Sequence, residues 1–288
     1  MTDMREKEQE ERERRRREDL ARLSSLRPID DDFMRCLFKD NIPLAQLVLR
    51  IITQKDDLEV ISLETQRDMK RLVGARSICL DAYAEDSQGK KYDLEIQRAD
   101  SGACVQRARY HSGAMDVENL DAGQDFSELP DTYTIFITEN DVFSRGKALY
   151  RVERYNIDAD EFFNDGEHII YVNGGFRDDS DIGRLMHDFC CTDPNDMYYK
   201  QFRDTSRYLK TSQEGVNAMC KVFEEIRDEG IAIGIQQGLQ QGMQQGREEM
   251  KLDFAKKLLR HGKLTLEEIA QMTGLSLGDV RKLQETGA

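Results

Sequence analysis

The sequence predicts an α/β fold in which helices precede and follow a sheet. Apolar residues recur at helical spacing in residues 28–54 and 181–229, whereas apolar and polar residues alternate between residues 77 and 97. This order of elements is typical of a layered α/β core. With 288 residues, of which 39% are hydrophobic, the chain is long enough for one ordinary core with accessory segments.

Charge and cysteine usage restrict the class of protein. The 42 basic and 56 acidic side chains give a net charge of −14, which argues against coating nucleic acid through bulk charge. A protein that holds a phosphate backbone through a local basic patch is compatible with this total. There is no C-x-x-C pair, no apolar signal-peptide core and no run of about 18 apolar residues. We therefore expect a cytoplasmic protein with reduced thiols and no membrane span.

The chain begins with a charged segment, which we interpret as an N-terminal arm over residues 1–27. Almost every side chain in residues 4–19 is charged or carries an amide. Pairs of opposite charge four residues apart could support a solvated helix. A frayed arm is the favoured interpretation.

Two helices are predicted in residues 28–54. Pro28 and three consecutive aspartates, residues 30–32, precede an apolar run that starts at Phe33, as at a capped helix start. Pro43 then opens a second helix with an apolar stripe.

A β-hairpin follows, with strands predicted over residues 77–84 and 91–97 and a turn at Asp86–Gly89. Residues 103–120 have a helical pattern. Further strands are predicted at residues 133–138, 148–155 and 168–172, and helices over residues 181–229.

The C-terminal segment contains a repeat and a small module. In residues 230–250 a glycine recurs every four residues from Gly230 to Gly246. Glycine in a helix costs about 1 kcal/mol relative to alanine, so such a helix gains if another helix packs on the glycine row. We favour a helical connector over a flexible spacer. Residues 251–288 have helix-turn-helix spacing but nearly balanced charge, so a packing or dimerisation module is at least as plausible as a DNA reader. A homo-oligomer through residues 230–288 is a further expectation.

The hairpin carries the candidate chemistry. A turn centred on residues 87 and 88 places Asp81 nearly opposite Glu95, while Asp93, Glu95 and Gln97 share one face because strand side chains alternate. Carboxylate oxygens of this kind suit Mg²⁺ or Mn²⁺. From spacing alone, a solvated acidic face is the plainer interpretation. The pattern D…(D/E)-x-K is short, and Gln97 replaces its lysine.

The wider sequence favours a site. The segments that matter are, in chain order, Asp31–Phe38, Leu80–Lys90, Tyr92–Gln97, Arg107–Tyr110, Tyr171–Gly174, Met186–Phe189, Asp193–Met197 and Glu267–Ser276. In this order they resemble the bacterial PD-(D/E)XK nuclease family transposases, also called recombination-promoting nucleases. The resemblance covers roughly residues 28–285. It implies a restriction-endonuclease-like mixed sheet flanked by helices over residues 28–229, with a C-terminal helical extension.

The same resemblance implies Mg²⁺-dependent (or Mn²⁺-dependent) cleavage of DNA phosphodiesters, associated with recombination or transposition. Asp81 and Glu95 would be metal ligands, and Asp31 is a further acidic candidate. Gln97 would occupy the position of the catalytic lysine, as it also does in other members of this family. An amide supplies a dipole and not a charge. A catalytically weak or inactive nuclease-fold module that binds DNA or protein and oligomerises through its C-terminal helices therefore remains the alternative.

Two further groups of side chains, one of them outside the hairpin on the next helix, carry groups that could take part in a site. Arg107, Arg109 and Tyr110 lie on the helix after the hairpin and either contact DNA phosphates or pair with the carboxylate cluster. The scattered histidines are interpreted as structural or surface residues. They are His111, His168, His187 and His261.

Overall fold

A computed structural model describes residues 2–69, 78–98 and 100–286. These residues divide into two compact units, residues 1–223 and 224–288, which are described separately. The finer domain boundaries expected at residues 27, 229 and 250 stay predictions.

Three helices precede the sheet: α1 (Thr2–Ser25), α2 (Asp31–Phe38) and α3 (Ile42–Thr53). The first turn of α2 is acidic, and its apolar face from Phe33 to Phe38 is buried. The Asn41 side chain accepts a hydrogen bond from the Leu44 amide and caps α3, which has Pro43 in its first turn. The two helices predicted in residues 28–54 are confirmed.

The charged N-terminal segment is helical, so the expectation of a frayed arm was wrong. Along α1, Arg14 pairs with Glu11 and Glu18 at helical spacing. Exposed pairs of this kind contribute only about 0.3–0.5 kcal/mol each. The burial of Leu23 in the last turn, and of Leu26 just after it, anchors the helix to the core of the first unit.

Six strands form one mixed sheet in the order β1-β2-β3-β4-β8-β5. Neighbours β1–β2, β2–β3 and β8–β5 are antiparallel, whereas β3–β4 and β4–β8 are parallel. A separate two-stranded ribbon pairs β6 with β7. The strands are β1 (Val60–Asp68), β2 (Cys79–Asp86), β3 (Lys91–Gln97), β4 (Thr132–Thr138), β5 (Leu149–Val152), β6 (Tyr155–Asn156), β7 (Glu161–Phe162) and β8 (Glu167–Asn173).

The predicted hairpin is present as β2 and β3. Asp86 closes its turn, because its carboxylate accepts hydrogen bonds from the amides of Gln88 and Lys90 and from the Tyr92 hydroxyl. Gly89 has a φ of 80°, which glycine adopts without a steric cost. Strand β1 was not predicted.

Helices cover both faces of the sheet, as the expected fold requires. Helices α5 (Asp181–Cys190) and α6 (Lys200–Thr211) join α2 and α3 in the main core. Helix α4 (Val105–Asn119) packs on the other face, where Met115 clusters with Leu80 and Tyr83, and Ala108 clusters with Phe136. The α/β fold with a mixed sheet, flanking helices and a C-terminal helical extension is confirmed.

The glycine repeat lies inside one long helix, α7 (Gln213–His261), so the repeat is helical and is not a flexible spacer. Its role as a connector stays a prediction. In the second unit, α8 (Leu266–Thr273) and α9 (Leu277–Glu285) follow with helix-turn-helix spacing around Ala255, Ile269 and Val280. Homo-oligomerisation through this region stays a prediction. Within the described residues, no helix is both long and apolar enough to cross a membrane.

Candidate active site

The register of β2 and β3 brings two carboxylates together. Ala82 pairs with Leu94, so Asp81 lies beside Glu95 on the neighbouring strand. The Asp81 amide donates to Glu95 Oε1 at 3.1 Å, and the Ile96 amide donates to Asp81 Oδ2 at 3.0 Å. The arrangement inferred from the turn and from strand alternation is therefore observed.

A third carboxylate and a histidine complete the cluster. Asp93 and Glu95 are fully buried, and His111 of α4 places Nδ1 3.0 Å from Asp93 Oδ2 and 3.8 Å from Glu95 Oε1. One ligand atom from each of these three residues lies within 4.8 Å of the others. The sequence interpretation treated His111 as a structural or surface residue. The only signal was its position one helical turn after Arg107.

Arg107 connects the members of the cluster. Its Nη2 lies 3.0 Å from Glu95 Oε2, Nη1 donates to Gln97 Oε1 at 3.3 Å, and Nε donates to His111 Nε2 at 3.2 Å. Because Nε2 accepts this hydrogen bond, the His111 ring is neutral and its Nδ1 donates to Asp93. Of the two interpretations left open for Arg107, the structure has the ion pair with the carboxylate cluster.

The other two residues proposed on this helix point elsewhere. Arg109 and Tyr110 are exposed on α4 and do not join the carboxylate cluster. They stay candidates for contact with DNA.

Gln97 is held on the same face as Glu95. Its Nε2 donates to Glu95 Oε2 at 3.4 Å, and its Oε1 accepts from Arg107. A Cβ at position 102 would overlap Gln97 Oε1, so Gly102 leaves the space that this side chain occupies.

Burial and mutual repulsion raise the proton affinity of the carboxylates. Burial, followed by the charge of Glu95, raises the pKa of Asp81 to about 7. Burial, followed by the charge of Asp93, raises the pKa of Glu95 to about 7. The pKa of Asp93 is raised well above its ordinary value, chiefly by burial. Burial also lowers the pKa of His111, in agreement with a neutral ring.

The cluster has more anionic groups than positive charge to balance them. In the described part of the chain, Arg107 is the permanently charged partner of Asp81, Asp93 and Glu95. Oδ1 of Asp93 is buried and has no hydrogen-bond partner among these residues. This set of carboxylates fits a divalent cation such as Mg²⁺ or Mn²⁺.

Asp31 lies near this cluster but does not join it. Its side chain is 54% exposed and pairs with Arg35 at 3.5 Å. The negative charge of Asp31 nevertheless contributes to the raised pKa of Asp81. Just before Asp31, the Asp30 carboxylate binds Arg98, which follows β3, and this ion pair ties the start of α2 to the end of that strand.

Gln66 of β1 is a neighbour that the sequence analysis did not single out. The β1–β2 register puts Gln66 opposite Asp81, and its Nε2 lies 3.5 Å from Asp81 Oδ1. Its φ of 56° is unusual for a non-glycine residue within a strand. Strain of this kind clusters at functional sites.

A model of a known protein family matches the central part of the chain. Residues 39–173 match the family model described as PD-(D/E)XK nuclease family transposase. The matched segment contains Asp81, Glu95, Gln97, Arg107 and His111, so the resemblance deduced from the sequence is confirmed there. The match supports a nuclease-type function. Searches of curated proteins and of solved structures returned no match.

Proposed function

We propose that this chain, whose residues 39–173 match the PD-(D/E)XK nuclease family transposase model, is a divalent-metal-dependent DNA endonuclease associated with recombination or transposition. The adjacency of Asp81 and Glu95 carries the proposal. Asp81 is half-buried and Glu95 is fully buried; both have raised pKa values and lie on neighbouring strands inside the matched segment.

In this proposal Asp81 and Glu95 hold Mg²⁺ or Mn²⁺, and Asp31 is a further acidic group near them. The metal supplies activation of a water molecule and stabilisation of the charge that develops on phosphorus. The hydrogen bonds from the amides of Asp81 and Ile96 fix the two carboxylates before any substrate arrives. Such preorganisation avoids a reorganisation cost during the reaction.

The residues around the carboxylates are proposed to supply a hydrogen-bond donor, a positive charge and contacts with the DNA backbone. Gln97, held beside Glu95 and over Gly102, can donate a hydrogen bond from its amide to the attacking water or to the phosphate. The positive charge that a lysine would bring to position 97 is present on Arg107, which contacts Gln97 and Glu95. Arg109 and Tyr110, exposed on the same helix, are proposed to contact the DNA backbone.

A plasmid assay tests this function. Supercoiled plasmid is incubated with Mg²⁺ or Mn²⁺ and the native protein, Asp81→Ala or Glu95→Ala. Asp204→Ala, which removes an exposed carboxylate from α6, is the matched control. We expect metal-dependent nicking or linearisation by the native protein and the control, lost in both site variants. Cleavage that persists in the site variants would place the activity elsewhere.

The second candidate is a nuclease-fold module that binds DNA or protein and cleaves weakly or not at all, oligomerising through its C-terminal helices. The observation that favours it is Gln97, because the amide lacks the charge of a lysine. This candidate would be favoured if the native protein binds DNA but does not cleave it in either Mg²⁺ or Mn²⁺. Measurement of the solution mass after deletion of residues 230–288 tests its oligomeric part.

A further inference from the structure

We propose that Arg107 is the built-in counter-cation of the carboxylate cluster, and that it must leave Glu95 when a divalent cation binds there. The hydrogen bond from Arg107 Nε to His111 keeps the guanidinium beside the site after this displacement. The inference rests on the proposed function, because it concerns how the same carboxylates receive their metal.

The contacts of Arg107 separate an anchored end from a displaceable end. Nε donates to His111 Nε2 at 3.2 Å, and His111 is fixed in turn by its Nδ1 contact with Asp93 at 3.0 Å. The two Nη atoms bind Gln97 and Glu95 instead. One end of the guanidinium therefore rests on a buried, neutral ring, and the other rests on residues of the proposed metal site.

Exposure differs sharply between the partners. The Arg107 side chain is 37% exposed, whereas that of Glu95 is fully buried. The Arg107 side chain is thus accessible to solvent, whereas the enclosed Glu95 cannot follow a guanidinium that moves away. A divalent cation on Glu95 would repel a guanidinium nitrogen only 3.0 Å from Oε2.

Displacement gives the freed Nη groups a new partner. Guanidinium N–H pairs bind phosphate oxygens in the same forked geometry that they use with carboxylates. Arg107 would exchange Glu95 for the phosphate of the DNA while His111 still holds Nε. The exchange couples metal binding to phosphate binding within one side chain.

This coupling makes a prediction that a purely structural role does not. The Arg107–Glu95 contact competes with the metal, so the need to break it weakens the apparent affinity of the native site for metal. A neutral residue at position 107 removes both the competition and the repulsion. Metal binding without DNA should then become tighter, while DNA binding becomes weaker.

The test measures Mn²⁺ binding to the full-length protein by isothermal titration calorimetry, without DNA. We expect Arg107→Met to bind Mn²⁺ about tenfold more tightly than the native protein. Arg107→Lys, which keeps the charge, should stay near the native affinity. Arg207→Met, which removes an exposed arginine from α6, should bind as the native protein does. Arg107→Gln provides the same neutral substitution if Arg107→Met does not fold.

Binding of a short DNA duplex in Ca²⁺ gives the second readout, and Arg107→Met should weaken it. The inference is overturned if native Mn²⁺ binding depends on Glu95, as judged with Glu95→Gln, yet the neutral variants bind Mn²⁺ equally or more weakly. That result leaves the proposed function standing. If the native protein shows no Glu95-dependent Mn²⁺ binding, both the inference and the metal-dependent function fail.

Discussion

Arg107 donates a hydrogen bond from Nε to Nε2 of His111, one turn further along α4, at 3.2 Å. The opposite ring nitrogen of His111 contacts Asp93, so one imidazole links an arginine on the helix to a carboxylate on β3. The geometry makes His111 a positioning residue, because it acts on Glu95 through Arg107 and does not itself reach the solvent.

Substitution of His111 should therefore affect both activity and stability. His111→Ala removes the acceptor for Arg107 and the partner of a fully buried carboxylate. We expect a loss of about 1–3 kcal/mol in the free energy of unfolding and a decrease of about tenfold in DNA cleavage. Urea unfolding and single-turnover cleavage measure the two effects. His261→Ala, at the exposed end of α7, is the control, and native activity in His111→Ala would contradict the positioning role.

A methyl group at position 102 should act through Gln97. The Cβ of Gly102→Ala would meet Oε1 of Gln97, the movable end of a flexible side chain, so the fold should lose less than about 1 kcal/mol. Cleavage should fall because the amide leaves its place beside Glu95. A double-mutant cycle checks this, since Gly102→Ala should have no further effect on cleavage in a Gln97→Ala background.

Gly113→Ala is the matched control for this substitution. Gly113 lies in α4 with open space around the added Cβ, so alanine there should stabilise the protein by about 0.5–1 kcal/mol and leave cleavage unchanged. Additive effects of Gly102→Ala and Gln97→Ala on cleavage would count against the link between these two residues.

The raised pKa values predict how stability depends on pH when no metal is added. In the folded chain the pKa values of Asp81 and Glu95 are raised from their ordinary values of 3.8 and 4.5 to about 7. The folded chain therefore binds these two protons more tightly than the unfolded chain does. Between about pH 4 and pH 7 the folded state therefore holds more protons on these groups than the unfolded state. Their contribution to stability falls as the pH rises.

Denaturant unfolding at several pH values measures this contribution. The native protein is compared with the double variant Asp81→Asn/Glu95→Gln. This comparison is needed because other carboxylates such as Glu139 have lowered pKa values, and their contribution to stability increases as the pH rises. The double variant should gain stability relative to the native protein as the pH rises from 4 to 7. A constant difference between the two proteins would show that the carboxylates titrate normally.

Local rules were sufficient to place Asp81 beside Glu95 from the sequence. The Asp86–Gly89 turn fixes the register of β2 and β3, and strand alternation then determines which side chains share a face. The fold class followed from the same periodicities, together with the resemblance.

The other half of the site depends on how α4 packs on the sheet. Its apolar residues do not form a single stripe, so the sequence did not show that Arg107 and His111 face the carboxylates while Arg109 faces solvent. The four-residue spacing from Arg107 to His111 was a signal, but such spacing is common in helices and does not by itself identify a site. Strand β1 was missed for a related reason, because it is an edge strand with mostly polar, partly exposed side chains.

Position 97 carries a glutamine where the D…(D/E)-x-K pattern has a lysine. In Gln97→Lys the new ammonium group would replace an amide oxygen that accepts from Arg107 Nη1 at 3.3 Å. Two cations would then share one Glu95, so we expect a loss of about 1–2 kcal/mol in stability and no gain in cleavage. In Gln97→Lys/Arg107→Gln the single positive charge beside Glu95 lies at position 97 instead of position 107, so the stability should return towards that of the native protein. Urea unfolding and plasmid cleavage of the two single variants and the double variant measure this coupling. If Gln97→Lys alone cleaved DNA faster at unchanged stability, Arg107 would not be supplying the charge that position 97 lacks.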